Sequence, residues 1–154
     1  ALVNSSGEVL EELSLLINPQ EPLEEIITKI TGLKDEDLVD QPTFPEVYEQ
    51  IRDLFRKADA AIAHNLPFDS TLLNLELQRH GFNDFVWPPF CICTVQETAP
   101  EWGRRAKLTE LYERCTGGPL AQTHRALDDV MALVEVAKKL GIMNAYDAAA
   151  QGSL

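Results

Sequence analysis

From Thr43 to Ala58 the apolar residues Phe44, Val47, Tyr48, Ile51, Leu54, Phe55 and Ala58 recur at helical intervals, which predicts an amphipathic helix with Thr43 as its N-cap. A second helix is predicted from about Pro67 to His80, with Gly81 placed to end it. A short helix is expected over KLTELYERC, closed by TGG, and a longer one over THRALDDVMALVEVAKKLG, ending at Gly141. Strand signals lie between these. ALVN and EVLEELSLLINP, joined at Ser5, Ser6 and Gly7, read as a hairpin whose second run alternates through Leu13, Leu15 and Ile17 and stops at Pro19. AAIAH after Asp59 is a short apolar strand, and FVWPPFCICTV, broken by Pro88 and Pro89, predicts a strand from about Phe90. EPLEEIITKITGL reads as loop with a helical turn, and IMNAYDAAAQGSL as a weakly structured tail. A hairpin followed by strands alternating with helices predicts an α/β fold, a mixed central sheet flanked by helices.

Composition narrows the class. The 154 residues, 45% hydrophobic and 25% charged, suit one globular domain with a core of its own. Three cysteines, Cys91, Cys93 and Cys115, form no disulfide framework and fit a reducing compartment. No segment approaches the roughly 20 apolar residues of a membrane span, and the opening ALVNSSGEVL lacks the basic and apolar regions of a signal peptide. The expectation is a cytoplasmic protein with no membrane partner. The chain also opens without methionine, in the manner of a strand already under way, so the given sequence is expected to begin inside a domain.

A formal net charge of -12 argues against broad neutralisation of a phosphate backbone. Contact with nucleic acid would have to be short and local, with cations supplying the positive charge at the site.

Two acids stand out against the helical pattern. At about 100° of rotation per residue, Ala126, Leu127, Val130, Leu133, Val134, Val136, Ala137 and Leu140 form one apolar arc, with Asp128 on the opposite, solvated side. Asp129 falls within the arc. A carboxylate there needs a partner, either Arg125 four residues earlier or a cation from elsewhere. His124 could share a site with Asp129 only if it sits at or before the helix start, where the backbone is free to turn. On the helix from Pro67 to His80 the polar side is Ser70, Thr71, Asn74 and Gln78, whereas Asp69, in the first turn, lies between Leu72 and Leu73, a direction shared further along by Glu76 and His80. An acid at a helix start is by itself more often a cap or a dipole partner than a ligand. As a pair, the two favour a hard divalent cation, because Mg²⁺ takes oxygen ligands and sits between a few carboxylates and substrate phosphates. Zinc is disfavoured, since His64, His80 and His124 show no ligand spacing with the cysteines.

HNLPFD, from His64 to Asp69, and HRALDD, from His124 to Asp129, resemble the second and third motifs, H-N-x-x-F-D and H-x-A-x-x-D, of the DEDDh or DnaQ-like 3′-5′ exonucleases, typified by the proofreading subunit of bacterial replicative polymerases. LLINP, ITGLKDEDL, FCICTV and KLTELYERCTG extend the resemblance along nearly the whole chain. It implies an RNase H-like exonuclease fold in which Asp69 and Asp129 bind metal and His124 is the general base. His64, Asn65 and Phe68 would hold the terminal nucleotides, with Ile30 and Thr31 nearby. The implied reaction is hydrolysis of the 3′-terminal phosphodiester of single-stranded DNA with two divalent ions, Mg²⁺ or Mn²⁺. RNA is the alternative substrate, and a polymerase subunit a candidate partner. The family's first motif, D-x-E-T-T-G, brings two more carboxylates on the middle strand of the sheet, and nothing like it occurs in this chain. Residues 1–154 are therefore expected to form a single exonuclease domain without its first strand. A catalytically degenerate module that binds nucleic acid or a polymerase without cutting is the rival expectation.

Overall fold

The computed structural model describes residues 1–120 and 125–144. The opening hairpin pairs β1 (Leu2–Val3) with β2 (Val9–Glu11) in antiparallel register, Val3 opposite Val9. Its turn is shaped by Asn4, whose Oδ1 accepts from the backbone N–H groups of Ser6 and Glu8 at 3.1 and 2.9 Å. Gly7 supplies the positive φ, +80°, and a Cβ there would run into the side chain of Lys138, so the turn packs closely on the last helix. The second strand is shorter than its alternation suggests. Beyond Glu11 only Asn18 pairs, as an isolated parallel bridge to Thr43.

Helix α1 (Glu25–Thr31) takes up much of the stretch expected to be loop with a helical turn, and the single turn α2 (Asp35–Leu38) follows just beyond it. Helix α3 (Phe44–Arg56) begins as its periodicity predicts, with Thr43 as N-cap and its N–H and hydroxyl both donating to the Glu46 carboxylate at 2.7 Å. Strand β3 (Ala60–Ala63) leads into α4 (Leu66–His80), ended by Gly81 in the left-handed conformation at φ 70°. Strand β4 (Phe90–Cys93) pairs in parallel with β3, Ala60 opposite Phe90 and Ala63 opposite Cys93. Helix α5 (Thr94–Trp102) follows at once, an element the sequence pattern does not predict, with Pro100 inside it. Helices α6 (Leu108–Thr116) and α7 (Ala126–Lys139) complete the described chain.

Two apolar clusters hold these elements. Phe44, Tyr48 and Leu77 join α3 to α4, with Ile17, Ile51, Leu73, Phe82 and Phe85 packed around them. Ala106, Leu111 and Val136 join the loop before α6, α6 itself and α7. Leu111 and Val136 are 1% and 0% exposed. Between the two strand pairs runs an apolar groove of about 430 Å³, lined from β1 and β2 by Leu2, Val3 and Leu10, from β3 and β4 by Ile62 and Ile92, and from α7 by Leu133. The described strands thus form two two-stranded sheets rather than one continuous sheet.

Candidate active site

The turn between β3 and α4 carries His64 and Asn65. Asn65 is the N-cap of α4 and adopts the left-handed conformation, φ 73° and ψ 46°, one that asparagine tolerates better than other residues bearing a Cβ. This sharp reversal lets α4 start directly after the strand. Asp69 then falls in the first helical turn, near the positive end of the helix dipole.

His64 and Thr94 are the residues that follow β3 and β4, one step past the Ala63 and Cys93 pair. Imidazole Nδ1 lies 2.9 Å from the Thr94 hydroxyl, and Thr94 is fully buried. Burial lowers the His64 pKa below the ordinary histidine value; Ala106 backbone and the Asp69 charge oppose the shift, while Arg105 adds to it. Partial burial raises the Asp69 carboxyl pKa, against its own backbone N–H and the His64 charge. The residue keeps an exposed edge toward solvent.

Asp69 and Asp129, on different helices, line the same cavity of about 540 Å³ together with His64, Lys107, Thr109, Leu120, Ala126 and Val130. Asp128 is exposed as its place on the helix predicts, but Asp129 is exposed as well: it is not enclosed by the apolar arc of α7 and meets the cavity from its rim. Helix α7 begins at Ala126 after an extended Arg125, so position 124 precedes the first helical residue; His124 itself lies outside the described residues. Both carboxylates are hard oxygen donors facing one cavity, so the pair fits a divalent ion. Two donors are not a full coordination shell. Among the described residues no group of three or more His, Cys, Asp or Glu side chains is placed to hold an ion.

The other expected nucleotide contacts lie outside the lining of this cavity. Phe68, one residue before Asp69, is 59% exposed and thus free to meet a ligand, and Ile30 near the end of α1 is 53% exposed. Thr31 turns its hydroxyl inward, donating to the Ile27 carbonyl at 2.8 Å and accepting from the Leu33 N–H. Its side chain serves the end of α1.

Lys107 was not among the residues expected here. It caps α6 through its backbone N–H, which donates to Glu110 at 2.7 Å, and its side chain lines the cavity. The available sequence signal was RRAK, residues 104–107, a dense basic run in an acidic chain.

Paired strands flanked by helices are consistent with an RNase H-like exonuclease fold, and a family model described as Exonuclease matches residues 1–137. The chain belongs to this family, on its DEDDh or DnaQ-like branch. It is 28% identical over 147 residues to the DNA polymerase III PolC-type protein of Staphylococcus aureus, an alignment that takes in 90% of this chain and 10% of the polymerase. The PolC-type protein of strain MW2 aligns with the same figures. The chain thus spans about a tenth of the length of these relatives. Among solved structures, Exonuclease X in complex with 5′ overhanging duplex DNA superposes with a TM-score of 0.60 over 88% of this chain and 78% of that one, at 21% identity. That likeness concerns the fold.

Among the described residues no helix is long and apolar enough to cross a membrane.

Proposed function

We propose that this domain is a metal-dependent 3′-5′ exonuclease acting on single-stranded DNA ends. The observation that carries the reading is the convergence of Asp69 and Asp129, from α4 and α7, on one cavity. Asp69 and Asp129 would hold Mg²⁺ or Mn²⁺, which would supply charge stabilisation for hydrolysis of the phosphodiester. His124 takes the proton of the attacking water, the general-base role that histidine most often fills. Asn65 and Phe68 hold the terminal nucleotide from the start of α4, with Ile30 and Thr31 close to it. His64, whose Nδ1 is engaged by Thr94 and which lines the cavity, joins Asn65 and Phe68 in holding the terminal nucleotide.

The groove between the two strand pairs is read as the seat of a further β-strand, which would join the two sheets into one. Such a strand, carrying the D-x-E carboxylates of the family, would complete the coordination shell that Asp69 and Asp129 begin. PolC-type relatives are polymerases, which supports a proofreading task alongside a polymerase.

A second reading is a domain that binds a strand end without cutting it: among the described residues only two carboxylates, Asp69 and Asp129, line the cavity. One assay separates them. Full-length protein is incubated with 3′- and 5′-labelled single-stranded DNA and with RNA of the same sequence, in Mg²⁺, Mn²⁺ or EDTA. Release of mononucleotides from the 3′ end of DNA, dependent on the ion and lost in Asp129→Ala, is expected; binding without cleavage in every buffer supports the non-catalytic reading.

A further inference from the structure

The run Arg104, Arg105, Ala106, Lys107 divides by burial. Ala106 is 3% exposed, fixed in the core with Leu111 and Val136, and this anchor leaves Arg105 and Lys107 on the surface to either side. Most other basic side chains are spent on acids of the chain itself. Arg104 grips Glu110 with both terminal nitrogens, at 2.9 and 2.6 Å, and Arg114 pairs with Glu101. Arg52, Lys57, Arg79 and Lys138 are likewise paired. Among the described residues neither Arg105 nor Lys107 forms an ion pair, although acids outnumber bases 25 to 13. Lys107 lines the cavity that holds Asp69 and Asp129, and the Arg105 charge reaches His64 on the same rim.

Arg105 has one polar partner among the described residues that decides its role: Nη2 donates to Oδ1 of Asn65. A guanidinium can only donate, so the Asn65 amide must present its oxygen to Arg105 and keep both Nδ2 hydrogens for another acceptor. Asn65 has little freedom to choose otherwise, since its backbone is held in the left-handed region at the head of α4. The remaining guanidinium donors form a planar fork suited to a phosphate.

We propose that Arg105 is a strand-positioning residue: it binds a backbone phosphate of the nucleic-acid strand whose end enters the cavity, while orienting the Asn65 amide to donate to the same nucleotide, with Lys107 as a second phosphate contact. The proposal rests on the nuclease reading above and names the group that holds the polyanion in a chain otherwise repellent to it. Two cations that form no ion pair among the described residues, beside two acids, give one local point of attachment. A grip on a few nucleotides follows, and a long duplex footprint does not.

The test uses full-length wild-type protein, Arg105→Ala, Arg105→Lys and Lys107→Ala. Binding of a fluorescent single-stranded oligonucleotide is followed by anisotropy in EDTA across a salt series, and kcat and KM are taken in Mg²⁺. Arg105→Ala is expected to weaken binding about tenfold and to flatten the slope of log K against log salt by about 0.7, the share of one phosphate contact on a single strand. KM should carry most of the kinetic effect. Arg105→Lys should restore the slope but only part of the affinity, because an ammonium cannot hold the Asn65 amide and a phosphate together. Lys107→Ala should flatten the slope while leaving the contribution of Arg105 intact. An unchanged slope and KM in Arg105→Ala, in a wild type that does cut DNA, overturn the assignment of Arg105 alone. A wild type that neither binds nor cuts the oligonucleotide overturns both this proposal and the nuclease reading.

Discussion

His64 and Thr94 are joined directly across the ends of the parallel pair β3 and β4, imidazole Nδ1 to hydroxyl Oγ1 at 2.9 Å. The bond fixes the turn from which Asn65 and Asp69 are presented. Because burial depresses the His64 pKa, the unfolded chain binds a proton that the folded chain refuses. The contribution of His64 to stability is therefore full above about pH 6.5, the unfolded value, and declines as the pH falls through that value toward the depressed folded one. Thermal melts between pH 8 and pH 5 should show this decline, and His64→Gln should flatten it. An equal slope in both proteins would show that other groups carry the pH dependence.

Thr94→Val removes the hydroxyl partner of His64 with little change of shape. Thr94 is fully buried and its hydroxyl also lies 3.5 Å from the Ala63 carbonyl, so the loss leaves a ring nitrogen without its partner. A cost of about 1–3 kcal/mol is expected from urea unfolding. Thr94→Ser, which keeps the hydroxyl, should recover part of it.

Asp69 carries the opposite sign. Its raised pKa means that the folded chain holds a proton the unfolded chain releases, so in the absence of a divalent ion Asp69 takes stability away as the pH rises above the usual carboxylate range. Asp69→Asn should accordingly raise the melting temperature of the ion-free protein at pH 7. Mg²⁺ or Mn²⁺ should reverse the order, stabilising wild type and leaving Asp69→Asn unmoved. Differential scanning fluorimetry with and without EDTA reads both effects, and a shift by the ion that survives in Asp69→Asn and in Asp129→Asn would remove these carboxylates from the ion's shell.

The helices that bury a face were legible residue by residue. Phe44, Val47 and Tyr48 set the start of α3, and Gly81 the end of α4, because the forces responsible act within one or two turns. Asp69 and Asp129 stand off the main polar side of their helices in the sequence, and the structure brings both to one cavity, though each is exposed there rather than enclosed among apolar side chains. Helix α1 buries no residue, so periodicity had little to report there. Helix α5 was hidden by Pro100, which reads as a breaker but lies near the C-terminal end, where only two residues follow before Gly103 takes over as the cap. Leu13 and Leu15 alternate as in a strand, yet strand length is decided by an available partner, and β2 finds one only as far as Glu11. The contact between Arg105 and Asn65, 40 residues apart, leaves no trace in local pattern. Such pairs are set by how α5, α6 and α7 pack.

Asp129 should govern activity out of proportion to stability. It is exposed at the cavity rim, so Asp129→Ala leaves no buried gap, and unfolding in urea should change by roughly 0.5 kcal/mol or less. If it holds an ion that supplies several kcal/mol of charge stabilisation, release of nucleotides should fall at least about a hundredfold, since about 1.4 kcal/mol corresponds to each factor of ten. Equal turnover by Asp129→Ala and wild type would detach the cavity from the chemistry.

Leu111→Ala asks the converse question of the scaffold. Leu111 is 1% exposed between α6 and α7, packed with Ala106 and Val136, and its truncation should cost about 2–5 kcal/mol by leaving a cavity that the surrounding helices only partly close. The same cluster fixes the loop bearing Arg105 and Lys107 and the helix bearing Asp129, so looser packing there acts on strand placement before it acts on the chemical step. Measured well below its reduced melting temperature, the variant should therefore show a raised KM with kcat kept within a few fold. Asp129→Ala should show the reverse, a collapsed kcat on an intact fold. Should Leu111→Ala lose kcat as completely as Asp129→Ala while remaining folded, the packing of α6 on α7 would have to be counted as part of the ion site itself.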